Sequence, residues 1–273
     1  MKEIYLRAYP DYIVKVTDSS IIWKDGTEMH LGDLKERTFQ DKLNNPSLLD
    51  QISIPYILGL TGIENARNND YDPGRLRYIP LFQKMYGTIK EEVENNLTYV
   101  EWLPKSLKKK NHDGSFETYK IPVTKVNNVA GKVKKISEEL DSLPDEYKKF
   151  LEDPGGTFCW RLIAGTDRPS AHSFGMTIDI NVPYSNYWLW DYKKALGISQ
   201  ETSVSELDIE RSKFPAYQNQ IPLKIVEIFE KYDFIWGGKW NHYDTMHFEY
   251  RPELFPEHFL DKVDSSIIGN ALD

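Results

Sequence analysis

Ser170-Ala171-His172-Ser173-Phe174-Gly175-Met176-Thr177-Ile178-Asp179-Ile180-Asn181 is the stretch on which the reading of this chain turns. It places a histidine in a polar segment, a glycine that lets the backbone reverse, and a carboxylate at the end of a short apolar run. An unpaired carboxylate flanked by isoleucines is costly to bury, so Asp179 needs a positive partner. Downstream, Trp240-Asn241-His242-Tyr243-Asp244-Thr245-Met246-His247-Phe248-Glu249-Tyr250 supplies two more histidines and two more carboxylates. Together the patches offer a mixed nitrogen and oxygen donor set.

A catalytic zinc takes three protein ligands and leaves a fourth position open. His172, Asp179 and His247 are the candidate ligands, and two imidazoles with a carboxylate suit Zn²⁺. His242 is a rival for the last place. Asp244, three residues before His247, is positioned to act as a general base without being a ligand. Arg161, in an apolar run before His172, is the candidate for stabilising negative charge in an intermediate. Glu249 shares strand parity with His247. It reads either as the carboxylate that orients that imidazole or as half of a surface salt bridge.

Composition narrows the classes. The chain has 273 residues, 40% hydrophobic and 28% charged, enough for a sizeable core. Its formal charge of −8 argues against nucleic acid or an anionic membrane surface as the main partner. A single cysteine, Cys159, excludes an intrachain disulfide and a thiolate-rich metal site; its apolar neighbours read as a buried, inert thiol. No run reaches transmembrane length. The opening Met1-Lys2-Glu3-Ile4-Tyr5 lacks the apolar segment of a signal peptide. Either the protein is cytoplasmic or a leader has been removed and it works outside the cytoplasm.

Along the chain, Tyr12 to Val16 and Ser20 to Trp23 read as strands, and residues from Leu31 to Asn69 as a polar region with helical pieces. Ile89, Val93, Leu97 and Val100 recur at helical spacing within Tyr86 to Leu103. Lys108-Lys109-Lys110 reads as a solvated loop, Asn111 to Gly114 as a hairpin tip, and Val133 to Leu151 as helical with a break at Pro144. Asp153-Pro154-Gly155-Gly156 divides an amino-terminal accessory region, residues 1–152, from a catalytic part, residues 153–273. The latter reads as strand (Thr157 to Ala164), strand (Met176 to Ile180), an insertion (Trp188 to Phe214), helix (Ile221 to Tyr232), strand (Phe234 to Trp236) and strand (Met246 to Tyr250). That order predicts an α+β fold, a small antiparallel sheet with flanking helices.

Ser170-x-His172-x-x-Gly175-x-x-x-Asp179 followed by Asp244-x-x-His247 resembles the signature of the LAS metallopeptidases. These are the VanY-like D-alanyl-D-alanine carboxypeptidases and the L-alanyl-D-glutamate endopeptidases that cut peptidoglycan stem peptides. The resemblance spans about Thr157 to Pro252. It implies zinc held by His172, Asp179 and His247, Asp244 as base, Arg161 as the charge-stabilising arginine, and Ser170 at the substrate site. Arg168 competes for the arginine role, although its place beside Pro169 suits substrate contact better. An aspartate base rather than glutamate leans toward the endopeptidase branch, and Thr177 replaces a common alanine. A non-catalytic cell-wall or peptide-binding module that keeps the zinc site is the alternative reading.

Overall fold

The computed structural model describes residues 2–33, 35–68, 70–163, 168–204, 209 and 213–258. Helix α1 (Ile4–Ala8) leads into an antiparallel meander of β1 (Ile13–Val16), β2 (Ser20–Trp23) and β3 (Glu28–His30). Five short helices follow: α2 (Phe39–Asn44), α3 (Leu48–Gln51), α4 (Gly59–Asn65), α5 (Ile79–Tyr86) and α6 (Lys90–Asn95). Strand β4 (Leu97–Glu101), the hairpin β5 (Lys108–Lys110) and β6 (Phe116–Thr118), and β7 (Lys120–Thr124) come next; β4 pairs with β7. Helix α7 (Val129–Asp141) closes this half.

The second half contains β8 (Thr177–Asp179), α8 (Trp188–Ala195), α9 (Leu223–Glu230), β9 (Phe234–Trp236) and β10 (His247–Tyr250). The three strands form an antiparallel sheet in the order β8-β10-β9. The protein is therefore α+β, as the motif order predicts. Buried residues on both sides of Asp153, from Ile4 to Phe255, pack into one core.

Helix α9 explains why the sheet is firm. Pro222 stands at its N-cap, and Ile225, Val226, Ile228 and Phe229 form its buried face. Phe229 stacks on Phe248 of β10 with ring centroids 3.8 Å apart. Strand β10 is buried along its whole length. Alternation along the strand puts Phe248 and Tyr250 on one face and His247 and Glu249 on the other. The second face thus buries two ionisable groups, which need partners close by.

Four sequence expectations are corrected. Thr157 to Ile163 is not a strand but irregular backbone, because Trp160 and Leu162 are exposed rather than packed; Ala164 lies outside the described residues. Cys159 in that run is exposed, not buried. Leu97 and Val100 do not continue a helix: α6 ends at Asn95, and the two residues pair with Thr124 and Ile121 on β7. The lysine run is solvent-exposed, as expected, but forms β5 rather than a loop. Within the insertion, residues 205–208 and 210–212 are outside the described set.

Candidate metal centre

The backbone ladder fixes two of the three candidate donors. In the β8–β10 register His247 lies directly opposite Asp179, and Glu249 opposite Thr177. Behind β8, Gly155 N–H donates to the Asp179 carbonyl at 2.8 Å, and Asp179 N–H donates to that of Gly156 at 2.8 Å. The glycine pair after Pro154, which reads as a terminator, therefore also braces the outer edge of β8.

His172 arrives on a 3₁₀ turn, Ala171–Phe174. Ser170 caps it, its hydroxyl accepting from His172 N–H. Gly175 ends it at φ 64°, and a Cβ there would come within 2.6 Å of Leu97 Cδ2. Only glycine fits both demands. Its carbonyl accepts from Thr124 N–H at 2.9 Å, tying the turn to β7.

The three side chains converge. One donor atom from each of His172, Asp179 and His247 lies within 4.8 Å of the others. His172 Nε2 is 3.2 Å from Asp179 Oδ2, and His247 Nδ1 is 3.0 Å from Asp179 Oδ1. The remaining ring nitrogens are committed elsewhere: His172 Nδ1–H donates to the Thr157 carbonyl at 3.1 Å, and His247 Nε2–H to Glu249 at 3.3 Å. Each imidazole is thereby oriented with its other nitrogen toward Asp179.

The electrostatics fit a cation. Burial opposes charge on both groups. Even so, bonds from His172 and His247 hold the Asp179 carboxyl well below the usual carboxylate range. Bonds to Asp179 and Glu249 push the His247 imidazole up to about 10. With both ring nitrogens of each histidine facing oxygen acceptors, the cluster calls for positive charge between them. A divalent ion held by His172 Nε2, His247 Nδ1 and Asp179 would supply that charge to neutral imidazoles.

Asp244 lies beside this cluster, anchored by its own N–H donating to the Gly237 carbonyl at 3.0 Å. Gly237 is needed there, since a Cβ would meet the Asp244 carbonyl oxygen at 2.6 Å. Asp244 Oδ1 is buried and has no hydrogen-bond partner among the described residues. Burial and the nearby Asp179 charge push the Asp244 carboxyl up to about 7, against the opposing charges of His247 and Arg161.

Arg161 is exposed. Its backbone is pinned: Arg161 N–H donates to Ser173 Oγ at 3.0 Å, and its carbonyl accepts from Ser170 N–H at 3.0 Å. Arg168 points elsewhere, donating from Nη1 to the Leu43 carbonyl at 2.9 Å. His242 is also away from the cluster: its Nδ1 bonds Asp72 Oδ2 at 2.6 Å, and its ring sits edge-on to Trp188 and Phe214. Glu249 is 0% exposed, which removes the surface salt-bridge reading. Its partners are His247, Arg77 and Arg251. Sequence reasoning missed Arg77 and the Thr157 carbonyl, because neither lies in a motif.

Residues 164–250 match the family model described as D-alanyl-D-alanine carboxypeptidase. The match covers about a third of the chain, and that segment is similar to this peptidase family. The matched segment contains His172, Asp179, Asp244 and His247; Arg161 lies just before it. No curated protein and no solved structure gives a match to the chain. Among the described residues, no helix of the protein is long and apolar enough to cross a membrane.

Proposed function

We propose that the protein is a zinc-dependent peptidase that hydrolyses peptidoglycan stem peptides. The observation that carries this is the convergence of His172 Nε2, His247 Nδ1 and the Asp179 carboxylate beside the unpartnered Asp244 oxygen. A structural zinc is closed by four protein ligands, whereas three donors with a spare carboxylate suit an open catalytic site.

Held by His172, Asp179 and His247, zinc would supply a water of pKa about 7 and a Lewis acid for a peptide carbonyl. The remaining roles belong to the chain. Asp244, in its ionised form, takes the proton from the attacking water and returns it to the departing amine nitrogen. Arg161, on the exposed segment between Trp160 and Leu162, faces the charge that develops on the carbonyl oxygen. Ser170 acts on the site by capping the turn that carries His172. Arg168, which donates to the Leu43 carbonyl, is the candidate for contact with the substrate. The substrate class assigns the enzyme's work to the cell envelope.

Digestion of purified muropeptides, read by mass spectrometry alongside metal analysis, tests the reading. One zinc per chain and defined product masses are expected. Those masses distinguish loss of a terminal D-Ala from cleavage of an internal L-Ala-D-Glu bond. One zinc per chain with no turnover on any stem peptide would favour a non-catalytic binding module.

A further inference from the structure

We infer that Arg77, in the amino-terminal part of the chain beyond the reach of the family match, is a positioning residue of the metal centre that acts through Glu249 on His247. The inference rests on the metal-site reading above and extends it to residues 1–152.

Arg77 Nε lies 2.8 Å from Glu249 Oε1 and 3.1 Å from Oε2, and Nη2 also bonds Oε2. This is a fork-on-carboxylate contact, which fixes direction as well as charge. Arg251 adds one bond, Nη1 to Oε1 at 3.1 Å, but is also committed to Glu253 and to the Gly74 carbonyl. Arg77 is therefore the main partner of Glu249. Glu249 Oε2 in turn accepts from His247 Nε2.

A second contact reaches the same imidazole through a tryptophan ring. The Arg77 guanidinium lies 5.8 Å from the Trp240 ring centre, and that ring is 5.5 Å from His247. His247 is bonded at Nε2 by Glu249 and packed at a tilt against Trp240, and both contact Arg77.

The segment before Arg77 is clasped to the same strand and loop. Trp240 Nε1–H donates to the Pro73 carbonyl at 2.6 Å, and Asn241 N–H to that of Tyr71 at 2.8 Å. His242 N–H donates to Asp72 Oδ1 at 3.0 Å. Tyr71 to Arg77 thus wraps the back of the centre, and the amino-terminal residues are part of the site's support.

The test uses full-length Arg77→Met, Arg77→Lys, Glu249→Gln and the Arg77→Met/Glu249→Gln double variant. Zinc affinity is measured by competition with a chromophoric chelator, and urea unfolding is followed on the metal-free proteins. Arg77→Met should weaken zinc binding about 10- to 100-fold, the range for removing a group that orients a ligand. Arg77→Lys, which keeps the charge but loses the fork, should fall between it and the wild type. The double variant should bind no more weakly than Glu249→Gln alone. Wild-type affinity in Arg77→Met, even with a lower unfolding midpoint, overturns the inference, as does full additivity in the double variant. If Arg77→Met fails to fold, wild-type affinity in Arg77→Lys overturns it instead. A wild-type chain that binds no zinc would sink the metal-site reading and this inference together. Normal wild-type binding with unaffected variants sinks the inference alone.

Discussion

His247 and Asp179 stand directly across from one another in the antiparallel register of β10 and β8, with Nδ1 3.0 Å from Oδ1. Two of the three candidate ligands are therefore placed by a backbone ladder rather than by loops. Directly opposed residues on one face of such a pair have Cβ atoms about 4.5–5.5 Å apart, within reach of a shared ion. The third ligand comes from a turn capped at one end by Ser170 and stopped at the other by Gly175. The centre is thus built on rigid elements, which is what a preorganised metal site requires.

Removing a ligand should remove the ion. His172→Ala and Asp179→Asn should each lose stoichiometric zinc after desalting, measured by atomic emission, and lose peptide hydrolysis with it. Treating the wild type with a strong chelator should do the same, reversibly on adding zinc. One zinc per chain retained in His172→Ala would defeat the ligand assignment.

A different pair governs stability against pH. His258 Nδ1 lies 2.7 Å from Asp233, and that bond raises the His258 pKa although partial burial opposes it. A folded-state pKa above the unfolded value of about 6.5 means stabilisation that is complete below that pH. It is lost as pH rises through the folded value. His258→Gln should therefore be less stable than wild type at about pH 6, with the gap closing in alkaline buffer. Solvent screening keeps the gap near that of a surface pair, about 0.5 kcal/mol. Urea unfolding at the two pH values checks it, and a gap that widens with pH would contradict the assignment.

The residues of the candidate metal centre were legible because their chemistry is compressed into two short patches set largely on one strand pair. Asp179 betrays itself as a carboxylate between isoleucines, and the pattern Asp244-x-x-His247 carries its own spacing. What lies around them was not legible. Arg77 and Glu249 are separated by 172 positions, and no periodicity links them. The run Thr157 to Ile163 is apolar enough to read as a buried strand, yet Leu162 is 54% exposed. Apolar residues on an open surface have the same letters as those in a core. Leu97 and Val100 keep the helical spacing of Ile89 and Val93, yet α6 ends at Asn95 and the chain passes into β4. Spacing alone does not register such a stop.

Gly175 links fold and site closely enough to be tested. Alanine there meets a left-handed backbone conformation, costing about 1–2 kcal/mol, and a contact with Leu97 that the leucine can relieve only in part. Gly175→Ala should lose about 2 kcal/mol in total, or about 4–8 °C in Tm for a chain of this size. Because the strain falls on the turn holding His172, zinc affinity should fall too. An unchanged Tm by calorimetry would show that the turn tolerates a side chain.

Asp244 gives the sharpest test of mechanism. As a base it must be ionised, so kcat/KM should rise with pH along an acid limb set by its carboxyl. Without a metal that carboxyl sits at about 7, raised by burial and by the Asp179 charge. A dication held by Asp179 and the two histidines neutralises the charge that raises it, so the limb of the zinc enzyme should lie at or below about 7. Asp244→Asn is nearly isosteric and removes the ionisation. It should lower turnover by about 10²- to 10⁴-fold, the usual weight of general base catalysis, and flatten the acid limb. Zinc should stay bound, because Asp244 is not among the converging donors. Full activity in Asp244→Asn, or an acid limb that survives the substitution, would take Asp244 out of the reaction. Loss of zinc along with activity would instead make it a ligand.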